Sequence, residues 1–160
     1  MKIVAFWDKL NNLSLQTVAY KLMSSKGWTP EKTQVAINRY KLFLYIKSVY
    51  PATALIPTLE IDAVWHAHIE VNLHQYIHDS NYLFGYTLNH ISAVNETEEM
   101  RQIYGQVSNN TTALFEQMFG AGVLEYTSLQ TAACADIPID TNPAPCADLP
   151  IIPNALIGNC

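Results

Sequence analysis

The chain has 160 residues, of which 49% are hydrophobic and 14% are charged, and its net charge is -5. This length suits one domain, and the composition excludes a disordered chain. Because no apolar run approaches the roughly 20 residues that cross a bilayer, and the N-terminus lacks the apolar core of a signal peptide, we expect one compact core, no membrane insertion and a cytoplasmic location.

The charges divide unevenly along the chain. Residues 1–50 contain eight Lys and Arg against two Asp and Glu, whereas residues 51–160 contain one against twelve. A basic face can bind the phosphates of a nucleic acid. The cations between residues 21 and 47, however, have the spacing of the solvated sides of two helices. We therefore do not expect a nucleic-acid partner.

Two helices are predicted in the first 50 residues. Residues 14–26 carry an apolar stripe between a Ser14 N-cap and Gly27. Thr29 is expected to cap a second helix, with Pro30 in its first turn, where a missing N–H costs nothing. The apolar positions of this second helix are dense enough for a central, mostly buried element.

A third helical segment begins at Thr58, and the five histidines of the chain lie in or just after it. All five fall within 25 residues, at His66, His68, His74, His78 and His90. When residues 61–77 are placed on one helix at about 100° per residue, His68 falls in the apolar stripe. Asp62 and His66 fall on the flank of that stripe, and His74 and His78 face away.

Part of this histidine segment has the pattern of a metal site. Asp62 and His66 are four residues apart, a spacing at which two helix side chains can hold one ion. His90 is the best further ligand, with His68 or Asp79 behind it. Two histidines and one carboxylate suit zinc or non-haem Fe(II) with an open coordination position. The alternative is that Asp62 only orients His66 and that His68 is a hydrogen-bonded core histidine.

The segment also resembles a known family. It reads Ile61-Asp62-Ala-Val-Trp65-His66-Ala-His68-Ile69, followed by Tyr76, Asp79, Phe84-Gly85 and His90. This ordered string, over about residues 35–91, is similar to the signature of the glycine-rich domain-containing protein-like family. The resemblance implies a polar or metal site at Asp62, His66, His68 and His90, and it implies no particular activity. The glycine-rich region of plant members is absent here.

A further helix is expected in the second half of the body. Asn95 is followed by three glutamates, which is a helix-start signal, and Gly120 and Gly122 end the helical pattern. The sequence therefore predicts a mainly α-helical fold, with a single helical domain of about five helices over residues 1–133.

Residues 134–160 differ in kind from this body. They hold five of the eight prolines, all three cysteines and no basic residue, and Pro at this density excludes helix and central strand. The stretch Cys134-Ala-Asp-Ile-Pro-Ile recurs as Cys146-Ala-Asp-Leu-Pro-Ile, and Cys160 is the last residue. A cytosolic chain normally keeps its thiols reduced. We expect an extended C-terminal arm that lies along a groove of the helical body.

Three functions stay open at this level. The first is a helical domain that binds zinc or Fe(II) through the His/Asp set. The second is a peptide precursor whose body is recognised by modifying enzymes and whose tail is modified at Cys134, Cys146 and Cys160. The third is a protein–protein interaction module with no metal, and the expected partner is another protein. The chain lacks the common hydrolase and nucleotide-binding motifs, so no enzyme class is assigned.

Overall fold

The computed structural model of the chain describes residues 2–90 and 97–125, and every regular element in these residues is an α-helix. The six helices are α1 Lys2–Asn11, α2 Gln16–Lys26, α3 Pro30–Val49, α4 Leu59–Val71, α5 Leu73–Phe84 and α6 Glu98–Phe119. The prediction of a mainly α-helical fold is confirmed. The predicted arm at residues 134–160, with its three cysteines, lies outside the described residues.

The starts of α3 and α4 follow the predicted capping residues. The Thr29 hydroxyl accepts a hydrogen bond from the backbone N–H of Lys32 at 3.2 Å, and Pro30 is the first residue of α3. Thr58 caps α4 in the same way, at 3.3 Å from the N–H of Ile61. The predicted Ser14 cap is wrong, because α2 begins one residue later, after Leu15, with no side-chain cap.

Helix α3 is the centre of the core, as predicted. It packs against α2, α4, α6 and α1. Its Tyr40, Phe43 and Ile46 are fully buried, and they meet equally buried apolar side chains such as Leu22 of α2 and Val64 of α4. Burying one such side chain stabilises the fold by about 1.5–3 kcal/mol. The packing of α4 on both α2 and α3 fixes the position of the histidine segment.

Residues 61–77 do not form the single helix that the apolar stripe predicts. The helix breaks at Asn72, whose backbone is extended with φ -162° and ψ 99°. The Asn72 side chain accepts a hydrogen bond from the N–H of Gln75 at 3.0 Å, so Asn72 is the N-cap of α5. Asn is among the best N-cap residues. Because of this break, α5 folds back on α4, and its Tyr76 and Asp79 are buried.

The N-terminal helix α1 was not expected from the sequence pattern. Its Trp7 and Leu10 are fully buried, and the Trp7 ring stacks on Tyr45 of α3 with ring centroids 4.3 Å apart. Helix α1 therefore completes one side of the core. None of the helices in the described ranges is long and apolar enough to span a membrane.

The segment that follows the last helix is tied to the centre of the fold by the buried Arg39 of α3. Thr97 caps α6, accepting from the N–H of Met100 at 3.2 Å; the predicted start at Asn95 lies outside the described residues. After α6, the buried Arg39 of α3 donates to the carbonyl oxygens of Val123 and Glu125, each at 3.0 Å. Arg39 also donates to the Glu60 carboxylate, at 3.0 Å, so Arg39 joins α3, α4 and the segment that follows α6.

Candidate metal centre

Helix α4 carries the first two residues of the site. Asp62 follows the Thr58 cap in the first turn of α4, where the helix dipole favours a carboxylate. His66 lies one turn later, on the same face. One Asp62 carboxylate oxygen, Oδ2, is 3.5 Å from His66 Nε2. The predicted juxtaposition of these two side chains is therefore present in the structure.

His90 reaches the same place from the segment after α5. This helix ends at Gly85, whose φ of 80° lies in the left-handed region that glycine adopts most readily. The chain then turns back toward α4. His90 Nε2 lies 2.7 Å from the other Asp62 oxygen, Oδ1, and the His66 and His90 rings are 4.3 Å apart between centroids. Asp62 therefore lies between two imidazoles.

A buried hydrogen-bonded chain holds the returning segment in place. The indole N–H of Trp65 donates to the Tyr76 hydroxyl at 2.8 Å, and that hydroxyl donates to the backbone carbonyl of Leu88. The Trp65 and His90 rings meet edge to face, with centroids 4.5 Å apart and an angle of 85° between the ring planes. The sequence interpretation assigned no role to Tyr76, and only the fold-back at Asn72 brings it to Leu88. His90 is thus held from behind by the Trp65 ring and by the hydrogen bond from Tyr76 to Leu88.

The three side chains form what we call the metal cluster: Asp62, His66 and His90. One ligand atom from each can be chosen so that all three lie within 4.8 Å of one another. The exposed fractions are 35% for Asp62, 43% for His66 and 11% for His90. The cluster is therefore anchored on the His90 side and open on the His66 side, and a small ion could enter it without a change of fold.

His68, the fourth predicted ligand, belongs to a different arrangement. Its side chain is 5% exposed, and it lies between Tyr40 and Asp79. His68 Nδ1 is 3.0 Å from the Tyr40 hydroxyl, and Nε2 is 3.1 Å from Asp79 Oδ2. We call this the buried histidine chain. Both ring nitrogens already have protein partners, so the structure does not bring His68 into the metal cluster.

Burial sets the protonation of the buried histidine chain. It lowers the pKa of His68, and the hydrogen bond and charge of Asp79 act in the opposite direction more weakly. Burial also raises the pKa of Tyr40 well above its ordinary value, and electrostatic interactions with Tyr76 and Asp79 raise it further. A neutral imidazole has one donor and one acceptor. Nε2–H therefore donates to Asp79, and Nδ1 accepts from the Tyr40 hydroxyl.

The two remaining histidines face away from the cluster. His74 and His78 are exposed on α5, as their positions on the predicted helix indicated. His78 Nδ1 lies 3.4 Å from Oδ1 of the neighbouring Asp79. Asp79 was considered as a spare metal ligand, but its carboxylate instead accepts from Gln75 Nε2 at 2.7 Å and contacts His68.

In residues 2–90 and 97–125 these features define an all-α fold with a two-histidine, one-carboxylate cluster where α4 meets the segment after α5. Residues 11–79 match the model of the family described as glycine-rich domain-containing protein-like. This match confirms the resemblance seen in the sequence; it includes Asp62, His66 and His68 and ends before His90. No curated protein and no solved structure matches the chain.

Proposed function

We propose that the chain is a metal-binding domain that holds one divalent transition-metal ion, zinc or Fe(II), at Asp62, His66 and His90. The observation that carries the proposal is the proximity of one ligand atom from each residue, within 4.8 Å. Ligand atoms around one tetrahedral ion lie about 3.4 Å apart, given metal–ligand bonds of about 2.1 Å. The Asp62–His90 and Asp62–His66 distances, 2.7 Å and 3.5 Å, lie on either side of that spacing.

The chemistry of the ligands favours zinc or iron over calcium or magnesium. Imidazole nitrogen suits zinc, iron, copper and nickel, whereas calcium and magnesium prefer oxygen ligands only. Two histidines with one carboxylate are the set found where zinc or non-haem Fe(II) keeps open positions for water or substrate. The half-exposed His66 and Asp62 leave room for such a position on the open side of the cluster.

The support behind His90 favours a functional cluster over a chance contact. Metal sites keep their ligands oriented through groups that contact the ligands from outside the coordination sphere. Here the Trp65 ring packs on His90, and the Trp65 and Tyr76 hydrogen bonds fix the chain at Leu88. This arrangement fixes His90 before any ion binds, which lowers the entropy lost on binding.

Metal analysis of the purified chain tests the proposal. After addition of one equivalent of Zn²⁺ or Fe²⁺ and removal of the excess, the chain should retain about one ion, and its melting temperature should rise because the ion binds only the folded state. His66→Ala should lose both effects. His74→Ala is the matched control, because His74 is exposed on α5 and lies outside the cluster.

The control also deals with the three cysteines, which can bind zinc themselves. An ion that is retained equally by wild type, His66→Ala and His74→Ala would be bound elsewhere and would overturn the proposal. Failure of wild type to retain either metal, with no change of melting temperature, would overturn it as well.

A further inference from the structure

A pocket adjoins the open side of the metal cluster. It lies between α2 and α4 and has a volume of about 450 Å³. Asp62 and His66 are part of its wall, together with Lys21 and Lys26 of α2 and Glu70 of α4. Pockets of about 300–1,000 Å³ hold small molecules. We call this the α2–α4 pocket.

Small side chains create this space. Ala63 and Ala67 of α4 are four residues apart, so they lie on one face of the helix, and both line the pocket with Leu22 of α2. Leu22 is fully buried and closes the apolar floor. A larger side chain at Ala63 would fill the pocket without replacing any charged or metal-binding group.

The charges on the pocket wall depend on whether the metal is bound. Without metal, two lysines face two carboxylates, those of Asp62 and Glu70. Glu70 lies 3.9 Å from Lys21, and because both side chains are about half exposed this pair is weak. The two lysines and the two carboxylates cancel, so a divalent ion at the metal cluster gives the pocket wall a net charge of about +2.

We propose that the α2–α4 pocket binds a small anion with oxygen donors, a carboxylate or a phosphate, next to the metal. One oxygen of the anion takes the open coordination position, and the ammonium groups of Lys21 and Lys26 bind the others through charge-assisted hydrogen bonds. This inference rests on the proposed metal function, and it names the class of ligand that the metal-loaded site accepts.

Cobalt provides the test, because Co²⁺ takes the place of zinc and its visible absorption responds to a new ligand. The cobalt-loaded chain is titrated with inorganic phosphate in one arm and with malonate in the other. The spectrum should change and then saturate with at least one of the two anions. The anion with the lower half-saturating concentration shows whether the pocket prefers a phosphate or a carboxylate.

Variants separate the pocket from the metal. Lys21→Gln and Lys26→Gln should each raise the half-saturating concentration about tenfold, since each removes a charge-assisted hydrogen bond, while the cobalt content stays the same. Ala63→Leu should keep cobalt and lose the response to the anion. Lys32→Gln is the matched control, because Lys32 lies over the Trp28 ring and outside the pocket, and it should behave as wild type.

The outcomes distinguish this inference from the proposed function. If wild type binds no cobalt, both are overturned. If it binds cobalt but neither anion changes the spectrum, only the anion pocket is overturned. If an anion changes the spectra of Lys21→Gln, Lys26→Gln and Ala63→Leu at the same concentration as that of wild type, the anion binds the metal without using the pocket. The inference is then overturned as well.

Discussion

Helix α4 presents two histidines, only two residues apart, to opposite surroundings. His66 lies in the open metal cluster with a side chain 43% exposed. His68 lies in the buried histidine chain, 5% exposed, with both ring nitrogens hydrogen-bonded. Residues two apart on a helix point about 200° away from each other. One helix therefore carries a buried, fully hydrogen-bonded histidine on one face and a half-exposed histidine on the other, and we propose that only the second is a metal ligand.

Trp65→Ala should give the largest effect, because Trp65 contacts both the hydrophobic core and the metal cluster. It packs against Phe43 at 5.4 Å, donates to Tyr76 and touches His90. Loss of a buried aromatic of this size costs about 3–5 kcal/mol, measurable by urea unfolding. Trp28→Ala is the control, since Trp28 is only partly buried at the edge of the core. Equal, small losses from both variants would contradict this description of α4.

His68→Ala should come next. It leaves the Tyr40 hydroxyl and the Asp79 carboxylate without the imidazole between them. Unsatisfied buried polar groups cost about 1–3 kcal/mol each, so we expect a loss of about 2–3 kcal/mol in the free energy of unfolding. The folded variant should still retain zinc. Retention of the fold with loss of zinc would mean that His68 is a ligand and that the contrast between the two faces is wrong.

Tyr76→Phe tests the link between the two faces. The change removes only the hydroxyl that accepts from Trp65 and donates to Leu88. The unfolding free energy should fall by about 1–2 kcal/mol. Zinc affinity should fall about tenfold, because groups that orient a ligand typically contribute 10- to 100-fold. Tyr20→Phe, at an exposed position, is the control. Unchanged zinc affinity in Tyr76→Phe would mean that the hydrogen bonds of Tyr76 do not position His90 for the metal.

His66→Ala should have the smallest effect on the metal-free protein. Its side chain is half exposed, and its contact with Asp62 is long at 3.5 Å. In the presence of a chelator, the free energy of unfolding should change by no more than about 0.5 kcal/mol. This measurement tests the metal hypothesis against the alternative in which Asp62 and His66 are only a structural pair. That alternative predicts a clear loss of stability in His66→Ala even without metal.

The sequence was sufficient for the elements with strong local signals. Thr29, Pro30 and Gly27 mark helix ends through hydrogen bonds and backbone angles that depend on a few neighbours. It was not sufficient at Asn72, which lies on the apolar stripe of a longer helix yet caps a new one. The helical periodicity of the apolar residues does not by itself distinguish one continuous helix from two helices with a cap between them, because the outcome depends on the packing of α5 against α4.

The candidate site divides in the same way. The four-residue spacing of Asp62 and His66 is local, so their contact was predictable. The place of His90 was inferred by elimination, and the structure puts it 2.7 Å from Asp62. The hydrogen bonds of Trp65 and Tyr76, and the pocket against α2, depend on tertiary packing between distant segments. That a metal binds here, and that the binding partner is another protein, stay predictions.

The X-ray absorption spectrum of the zinc-loaded chain tests the central claim most directly, because it reports the atoms bound to the ion. The metal cluster predicts only nitrogen and oxygen neighbours at about 2.0–2.2 Å, with the outer-shell signal of two imidazoles. His74→Ala should give the same spectrum, and His66→Ala should retain no zinc. Sulfur neighbours at about 2.3 Å would place the ion on the cysteines at 134, 146 and 160 and contradict a site at Asp62, His66 and His90.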